Sequence, residues 1–193
     1  MAGKIVRRNE AFRVSGPILA QVASYMIPFY RKIAGSRSYA LRWSKAVRQG
    51  DLDTLIKMFK KVAPMAKYDS FSVNGIGYFI DFAFPAPTVL YSNGTTIPPG
   101  TVQFTFSTPV HQALARAVLP FYCKLSNSTT YANALAAAIR ADNAARVRCL
   151  VRQQVRTTAL KKIRIDFSGV ELNFKFTRCS YTYRNLLFRE IAG

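Results

Sequence analysis

The sequence predicts an α+β protein made of two tandem repeats that pack together as a pseudo-dimer. Three observations predict this fold class. Similar residues recur at a fixed offset of 92 positions. Helix-start and hairpin signals recur at the same offset, and a basic charge is divided almost equally between the halves.

The repeat is clearest in two hexapeptides, IPFYRK at Ile27–Lys32 and LPFYCK at Leu119–Lys124. Extending this register without gaps gives 15 identities over the 70 positions from Ser15 to Phe84, whereas random pairing would give roughly 5. We therefore divide the chain into a first repeat, 1–92, and a second repeat, 93–193. The stretch 85–100, rich in Pro and Gly, is assigned as the linker, and 177–193 as a C-terminal extension of the second repeat.

Each repeat is expected to open with a strand and to continue with a helix. The alternating segments AFRV and TVQFTF predict strands at 11–14 and 101–106. A Ser-x-Pro sequence follows each segment and marks a helix start, with Ser near the N-cap and Pro in the first turn. These helices are predicted at about Pro17–Ile33 and Pro109–Leu125. The proline in the shared PFY sequence should kink each helix or split it in two.

Two more helices and a hairpin complete each repeat. Ser and Thr residues at 36–38 and 128–130 can cap a second helix, which is expected to end near Arg48 or Arg140. The third helix should follow Gly50-Asp51 or Asp142-Asn143, with apolar residues at a spacing of three to four. Asn-Gly and Ser-Gly pairs then favour tight turns. The hairpin strands are predicted at Ser70–Val73, Ile76–Phe84, Lys162–Phe167 and Val170–Phe176.

The charge of the chain is strongly one-sided. Its 28 Lys and Arg residues outnumber 9 Asp and Glu, for a formal net charge of +19, while 50% of the residues are hydrophobic and can form a core. A folded surface this positive repels itself unless an anionic partner neutralises it. Because both halves carry the charge, successive stretches of a nucleic-acid backbone, DNA or RNA, are the predicted partner.

Ten basic residues are the candidate nucleic-acid contacts. Three pairs of these basic residues occupy the same position in both repeats, which is barely more than chance would give. The two repeats therefore share their net charge and not a set of individual contacts. This favours phosphate contacts over base recognition. The alternative for the third-helix residues is an ordinary solvated helix face, and the lone tryptophan, Trp43, is expected in the core. The candidates are Lys32, Arg48, Lys57, Lys60, Lys61, Lys124, Arg140, Arg146, Arg148 and Arg152.

No familiar catalytic or metal-binding motif is found. His111 is the only histidine and has no neighbouring acid or nucleophile motif, so it is expected to be structural. No glycine-rich phosphate loop occurs. The three cysteines, Cys123, Cys149 and Cys179, have no CxxC spacing, which is typical of small buried residues and not of a zinc site. We therefore expect no enzyme activity, no cofactor and no metal.

The resulting prediction is a non-enzymatic nucleic-acid-binding protein that contacts mainly the phosphate backbone and has a coating or packaging role. The alternative is a structural protein that self-assembles as a coat, shell or filament, with or without nucleic acid, in which the apolar segment Tyr181–Phe188 pairs with a neighbouring subunit. The sequence contains no 18-residue apolar stretch and no apolar segment after its basic N-terminus. An intracellular location, in the cytoplasm or nucleoid, or a place within an assembled particle is therefore expected.

Overall fold

The computed structural model describes residues 14–86, 89–166, 168–177 and 179–189. Within them the chain forms an α+β fold with six helices and one antiparallel sheet of six strands, as the sequence predicts in outline. None of the described helices combines the length and the apolar character needed to cross a membrane.

The same order of elements occurs twice, three helices followed by three strands. The first set is α1 Gly16–Gly35, α2 Arg37–Gln49, α3 Leu52–Val62, β1 Tyr68–Val73, β2 Gly77–Phe84 and β3 Val89–Thr96. The second set is α4 Thr108–Asn127, α5 Thr129–Arg140, α6 Ala144–Gln154, β4 Leu160–Asp166, β5 Gly169–Phe174 and β6 Tyr183–Phe188. We call residues 14–98 the N-terminal half and residues 99–189 the C-terminal half. The residue 92 positions away from a given residue is its counterpart.

The helices begin close to where the sequence predicts. In five of the six described helices, all except α4, a short polar side chain at the N-cap accepts a hydrogen bond from an amide of the first turn. The Ser36 hydroxyl accepts a hydrogen bond from the Tyr39 amide at 3.3 Å, and the Asp51 carboxylate accepts one from the Thr54 amide at 3.0 Å. Of the two effects predicted for the internal proline, a kink or a split, the split does not occur, since α1 runs unbroken through Pro28. A proline inside a helix removes one backbone hydrogen bond, and the next residue, Phe29, is fully buried and holds the helix in place.

The central strands are the main departure from the sequence prediction. The two hairpins, β1–β2 and β4–β5, are confirmed. However, β3 lies inside the predicted linker and β6 inside the predicted C-terminal extension. The polar SNGTT sequence of β3 has the composition of a loop, yet every residue from Tyr91 to Ile97 is buried. Its position at the centre of the sheet explains why low strand propensity is tolerated there.

The strand predicted at the start of the second repeat is not seen. Residues 101–106 form no strand, and Phe104 has a φ of 50° and is exposed, which is incompatible with a regular strand. Of the segment 11–14, only Val14 falls among the described residues, and it belongs to no helix or strand.

The sheet is symmetric in its strand order and register. The order is β1-β2-β3-β6-β5-β4, so the third strand of each half pairs with the other at the centre. In that pairing Gly94 lies opposite Leu186, which is its counterpart, and the register continues evenly on both sides. Both hairpins also contain a register shift at counterpart positions, between Tyr68 and Ser70 and between Leu160 and Lys162.

The core lies between this sheet and the helices. Helices α1 and α4 pack against each other, and alternate residues of β2 (Tyr78, Ile80 and Phe82) are fully buried in the same cluster. Trp43 is also fully buried, with its ring centroid 4.5 Å from that of Phe29, so its predicted core position is confirmed. The two PFY sequences therefore supply aromatic side chains to the centre of the protein.

A closed ring of four hydrogen bonds joins the halves. Tyr30 donates to Asn93 Oδ1 (2.6 Å) and Asn93 Nδ2 donates to the Tyr122 hydroxyl (2.5 Å). Tyr122 donates to Asn185 Oδ1 (2.9 Å), and Asn185 Nδ2 donates back to the Tyr30 hydroxyl (2.7 Å). The two tyrosines are counterparts, as are the two asparagines, and all four are buried. Burial raises the pKa of both tyrosines, which keeps them protonated as donors.

Candidate nucleic-acid interface

A groove of about 990 Å³ lies among α1, α2 and α3 of the N-terminal half. Each helix presents residues spaced three or four apart, which places them on one helix face. Helix α1 contributes Pro28, Arg31, Lys32 and Gly35, helix α2 contributes Ser38, Tyr39 and Arg42, and helix α3 contributes Thr54, Lys57, Met58, Lys61 and Val62.

The floor of the groove is fixed by a hydrogen bond between two helices. The half-buried Tyr39 hydroxyl donates to the Met58 carbonyl at 2.9 Å, which ties α2 to α3. Burial raises the pKa of Tyr39, while the nearby Arg42 acts in the opposite direction. In the C-terminal half, Tyr131 makes the same bond to Leu150 at 2.8 Å, so the angle between the second and third helices is held in the same way.

Five cationic side chains converge on this groove, and all are exposed: Arg31, Lys32, Arg42, Lys57 and Lys61. None of the described residues that line it is an Asp or a Glu. The acids nearest in sequence are the exposed Asp53, next to Thr54 in the first turn of α3, and Asp51, which caps α3. Hydrogen bonds to Thr54 and the charge of Lys57 lower the pKa of the Asp51 carboxyl. The groove is therefore a concentrated patch of positive charge.

Two of the acids that could offset this charge are buried elsewhere. Asp81 accepts hydrogen bonds from the hydroxyls of Ser70 and Ser92, both at 2.5 Å. Glu171 pairs with Arg184 at 3.3 Å. Because neither carboxylate reaches the surface, the exposed charge is more one-sided than the composition suggests.

The structure brings together three of the ten candidate contacts, Lys32, Lys57 and Lys61, in the groove. Lys60 is on the neighbouring face of α3, with its ammonium 5.6 Å from the centroid of the Tyr68 ring, a cation–π contact. Four candidates of the C-terminal half lie exposed on α4 and α6: Lys124, Arg146, Arg148 and Arg152.

Arg48 and Arg140 have structural contacts instead. Arg48 donates to the Phe106 carbonyl at 2.6 Å, and Arg140 donates to the Val14 carbonyl at 2.7 Å. The two donors, Arg48 and Arg140, are counterparts, and so are the two acceptors, Val14 and Phe106. Each bond connects one half to the segment just before the first helix of the other half. The sequence comparison could detect that the two arginines match, but not that they face the opposite half.

Arg31 and Arg42, two of the five groove cations, are not among the candidates predicted from the sequence. Their counterparts are Cys123 and Ala134, so neither appeared as a shared basic position. A signal was available in the helical spacing, because Arg42 lies three residues after Tyr39 and therefore on the same helix face.

His111, the one histidine, lies away from the groove. It is fully buried, its Nε2 lies 3.0 Å from the Tyr78 hydroxyl, and burial lowers its pKa to about 3. Among the described residues, no group of three or more His, Cys, Asp or Glu side chains is placed to hold a metal ion.

Comparison of the chain with protein-family models, with curated proteins and with solved structures finds no match.

Proposed function

We propose that the chain is a non-enzymatic nucleic-acid-binding protein, built from two tandem α+β copies packed as a pseudo-dimer, that contacts mainly the phosphate backbone. The observation that carries this proposal is the convergence of five exposed cations, with no acidic residue, in one groove. A polyanion gains affinity there because binding releases the counterions that its phosphates otherwise hold.

The paired halves support the pseudo-dimer arrangement. The strand order reads the same from either edge of the sheet, and the β3–β6 register is centred on a counterpart pair. The ring of Tyr30, Tyr122, Asn93 and Asn185 and the bonds of Arg48 and Arg140 also join counterpart positions. A half of this size has a marginal core by itself, so packing against a second copy is the physical route to a stable fold.

The side chains available for contact favour phosphates over bases. The groove presents guanidinium and ammonium groups, which bind phosphate oxygens through charge-assisted hydrogen bonds. None of the described lining residues is an Asn or a Gln, the Tyr39 hydroxyl is engaged with Met58, and the only histidine is buried and engaged with Tyr78. This set of groups suits backbone binding with little sequence preference and offers no general base to a substrate.

The apolar segment Tyr181–Phe188, which suggested a coat or filament role, is accounted for within the sheet of a single chain. That hypothesis assigned Tyr181–Phe188 to pairing with a neighbouring subunit, but β6 already pairs with β3 on one side and with β5 on the other. One of the two sheet edges, β4, carries exposed Lys161, Lys162 and Arg164. Charged edge residues of this kind oppose strand pairing between molecules.

Salt dependence of binding tests the proposal. Fluorescence anisotropy of labelled DNA and RNA would give the association constant of nuclease-treated protein between 50 and 200 mM salt. With five phosphate contacts to a duplex, the constant should fall about 500-fold over this range. Binding that is absent, or that does not change with salt, would reject the proposal.

A further inference from the structure

The two halves differ in charge at the positions that form the groove. Arg31, Arg42, Lys57 and Lys61 have as counterparts Cys123, Ala134, Cys149 and Gln153. Among the five groove cations only Lys32 has a basic counterpart, Lys124. The repeats 1–92 and 93–193 have similar net charges, but only two of the residues that line the groove, Lys32 and Thr54, have basic counterparts, Lys124 and Arg146. Other cations of the second repeat, such as the exposed Arg148 and Arg152 of α6, lie outside the counterpart positions.

The groove is concave and has an apolar floor below a cationic rim. Pro28, Met58 and Val62 line it together with the ring of Tyr39. Its volume of about 990 Å³ is that of a pocket that encloses a small ligand or a short segment, for which typical volumes are roughly 300–1,000 Å³. A double helix is too wide to enter a cavity of this volume, because even its major groove, which is only part of its width, is about 12 Å across.

We propose that this groove is the site of a short single-stranded segment of nucleic acid, and that the counterpart surface of the C-terminal half is not, so that each chain holds one strand. This inference rests on the proposed function and adds to it the type of nucleic acid, the location of the site and the stoichiometry.

The groove offers separate partners for the backbone and for a base. Arg31 and Arg42 extend from α1 and α2, and each guanidinium can bind a phosphate with two parallel hydrogen bonds. Lys57 and Lys61, one turn apart on α3, supply two more charges along the third wall. A base or sugar then lies over the Tyr39 ring and the neighbouring apolar side chains, where aromatic contact is insensitive to sequence.

Only a single strand satisfies both features together. Its bases are unpaired and can turn toward the floor while the phosphates meet the rim. A duplex keeps its bases stacked inside and can contact only the rim cations. The groove therefore predicts tighter binding of a single strand than of a duplex of the same length.

The first experiment is a titration of the intact protein with a labelled oligothymidylate of about ten nucleotides, and with a duplex of equal length. The expected result is tighter binding of the single strand and a stoichiometry of one strand per chain. Tighter binding of the duplex, or two strands per chain, would overturn the inference.

Matched double variants locate the site. Arg42→Ala with Lys57→Ala removes two groove charges, and Arg148→Ala with Arg152→Ala removes two exposed charges from α6. For single strands, the groove double variant should reduce the slope of log K against log salt concentration by about 1.4, which lowers the affinity about 25-fold at 0.1 M salt. The α6 pair should change affinity less than threefold. Equal losses for the two pairs would overturn the inference.

Cysteine modification gives a test that needs no variant. Cys149 is exposed and is the counterpart of Lys57. Its rate of alkylation, followed by mass spectrometry, should be unchanged when the strand is bound, and protection of Cys149 would overturn the inference. Failure to bind any nucleic acid would reject the proposed function as well, whereas binding with equal losses, or with protection of Cys149, would reject only the groove site.

Discussion

Replacing Tyr30 with phenylalanine tests whether the ring of buried hydrogen bonds holds the two halves together. The change removes one hydroxyl and leaves the shape of the side chain almost unaltered. Asn93 Oδ1 then loses the tyrosine donor that it has at 2.6 Å. Asn185 Nδ2 loses an acceptor but keeps the Gly94 carbonyl and the Thr95 hydroxyl, both at 3.2 Å. Because Asn93 is fully buried, water cannot replace the lost donor.

The expected loss of stability comes from Asn93 Oδ1, which is left buried without the tyrosine donor. A buried polar group without a partner costs about 1–3 kcal/mol, against a total stability of about 5–15 kcal/mol for a typical domain. Tyr122→Phe should cost a similar amount, because it strands Asn185 Oδ1 in the same way. The double variant should cost less than the sum, by about 0.5 kcal/mol or more, since the first change already opens the ring.

Urea denaturation, followed by the fluorescence of Trp43, measures these free energies of unfolding. Tyr39→Phe is the control, because it removes a half-buried hydroxyl that bonds within a single half. Its loss should be smaller, about 0.5–1.5 kcal/mol. If Tyr30→Phe costs no more than this control, and the two ring variants add independently, the ring does not couple the halves.

Three further predictions concern other parts of the fold. Gly94→Ala should lower the free energy of unfolding by about 1–3 kcal/mol, because a Cβ there would overlap the Phe79 ring. Gly35→Ala, which has no atom within 4 Å of the added methyl, should change it by no more than about 1 kcal/mol, and equal effects in urea melts would contradict this. The folded-state pKa of His111 is about 3, below its ordinary value, so the stability it contributes is present above about pH 6.5 and is lost as the pH falls toward 3. In the wild-type protein this titration should make the free energy of unfolding fall by up to about 1.4 kcal/mol per pH unit as the pH is lowered. His111→Leu should remove this pH dependence, and an unchanged dependence between pH 4.5 and 7 would refute the prediction. Arg48→Ala should lower stability by about 1 kcal/mol but reduce oligonucleotide affinity less than Arg42→Ala does, and the reverse order would place Arg48 in the interface.

All six helices could be predicted from the sequence because their signals are local. The caps at Ser36 and Asp51 satisfy amides within the next three residues, and the apolar spacing of α3 marks its buried face. The turns of both hairpins are likewise set by a few neighbouring residues. The offset of 92 positions then supplied a second copy of each of these helix and turn signals.

The central strands could not be predicted in the same way. The sequence of β3 contains Ser, Asn, Gly and Thr in succession, which local propensity assigns to a loop. It forms a strand because β2 and β6 pair on its two sides, and because Asn93 finds partners in α1 and α4. Two counterpart identities, Tyr91 with Tyr183 and Asn93 with Asn185, lie just beyond the aligned block and would have pointed to these strands.

By itself, the sequence determined the helices, the two hairpins, their recurrence at a fixed offset and the equal division of positive charge. Only the tertiary structure decided which cations share a surface. Lys32 and Lys57 are 25 positions apart in the chain and meet because α1, α2 and α3 pack on a common core. Arg48 and Arg140, equally basic, are turned toward the opposite half. Capping and helical periodicity act over a few residues, whereas a groove depends on how distant elements bury their apolar faces together.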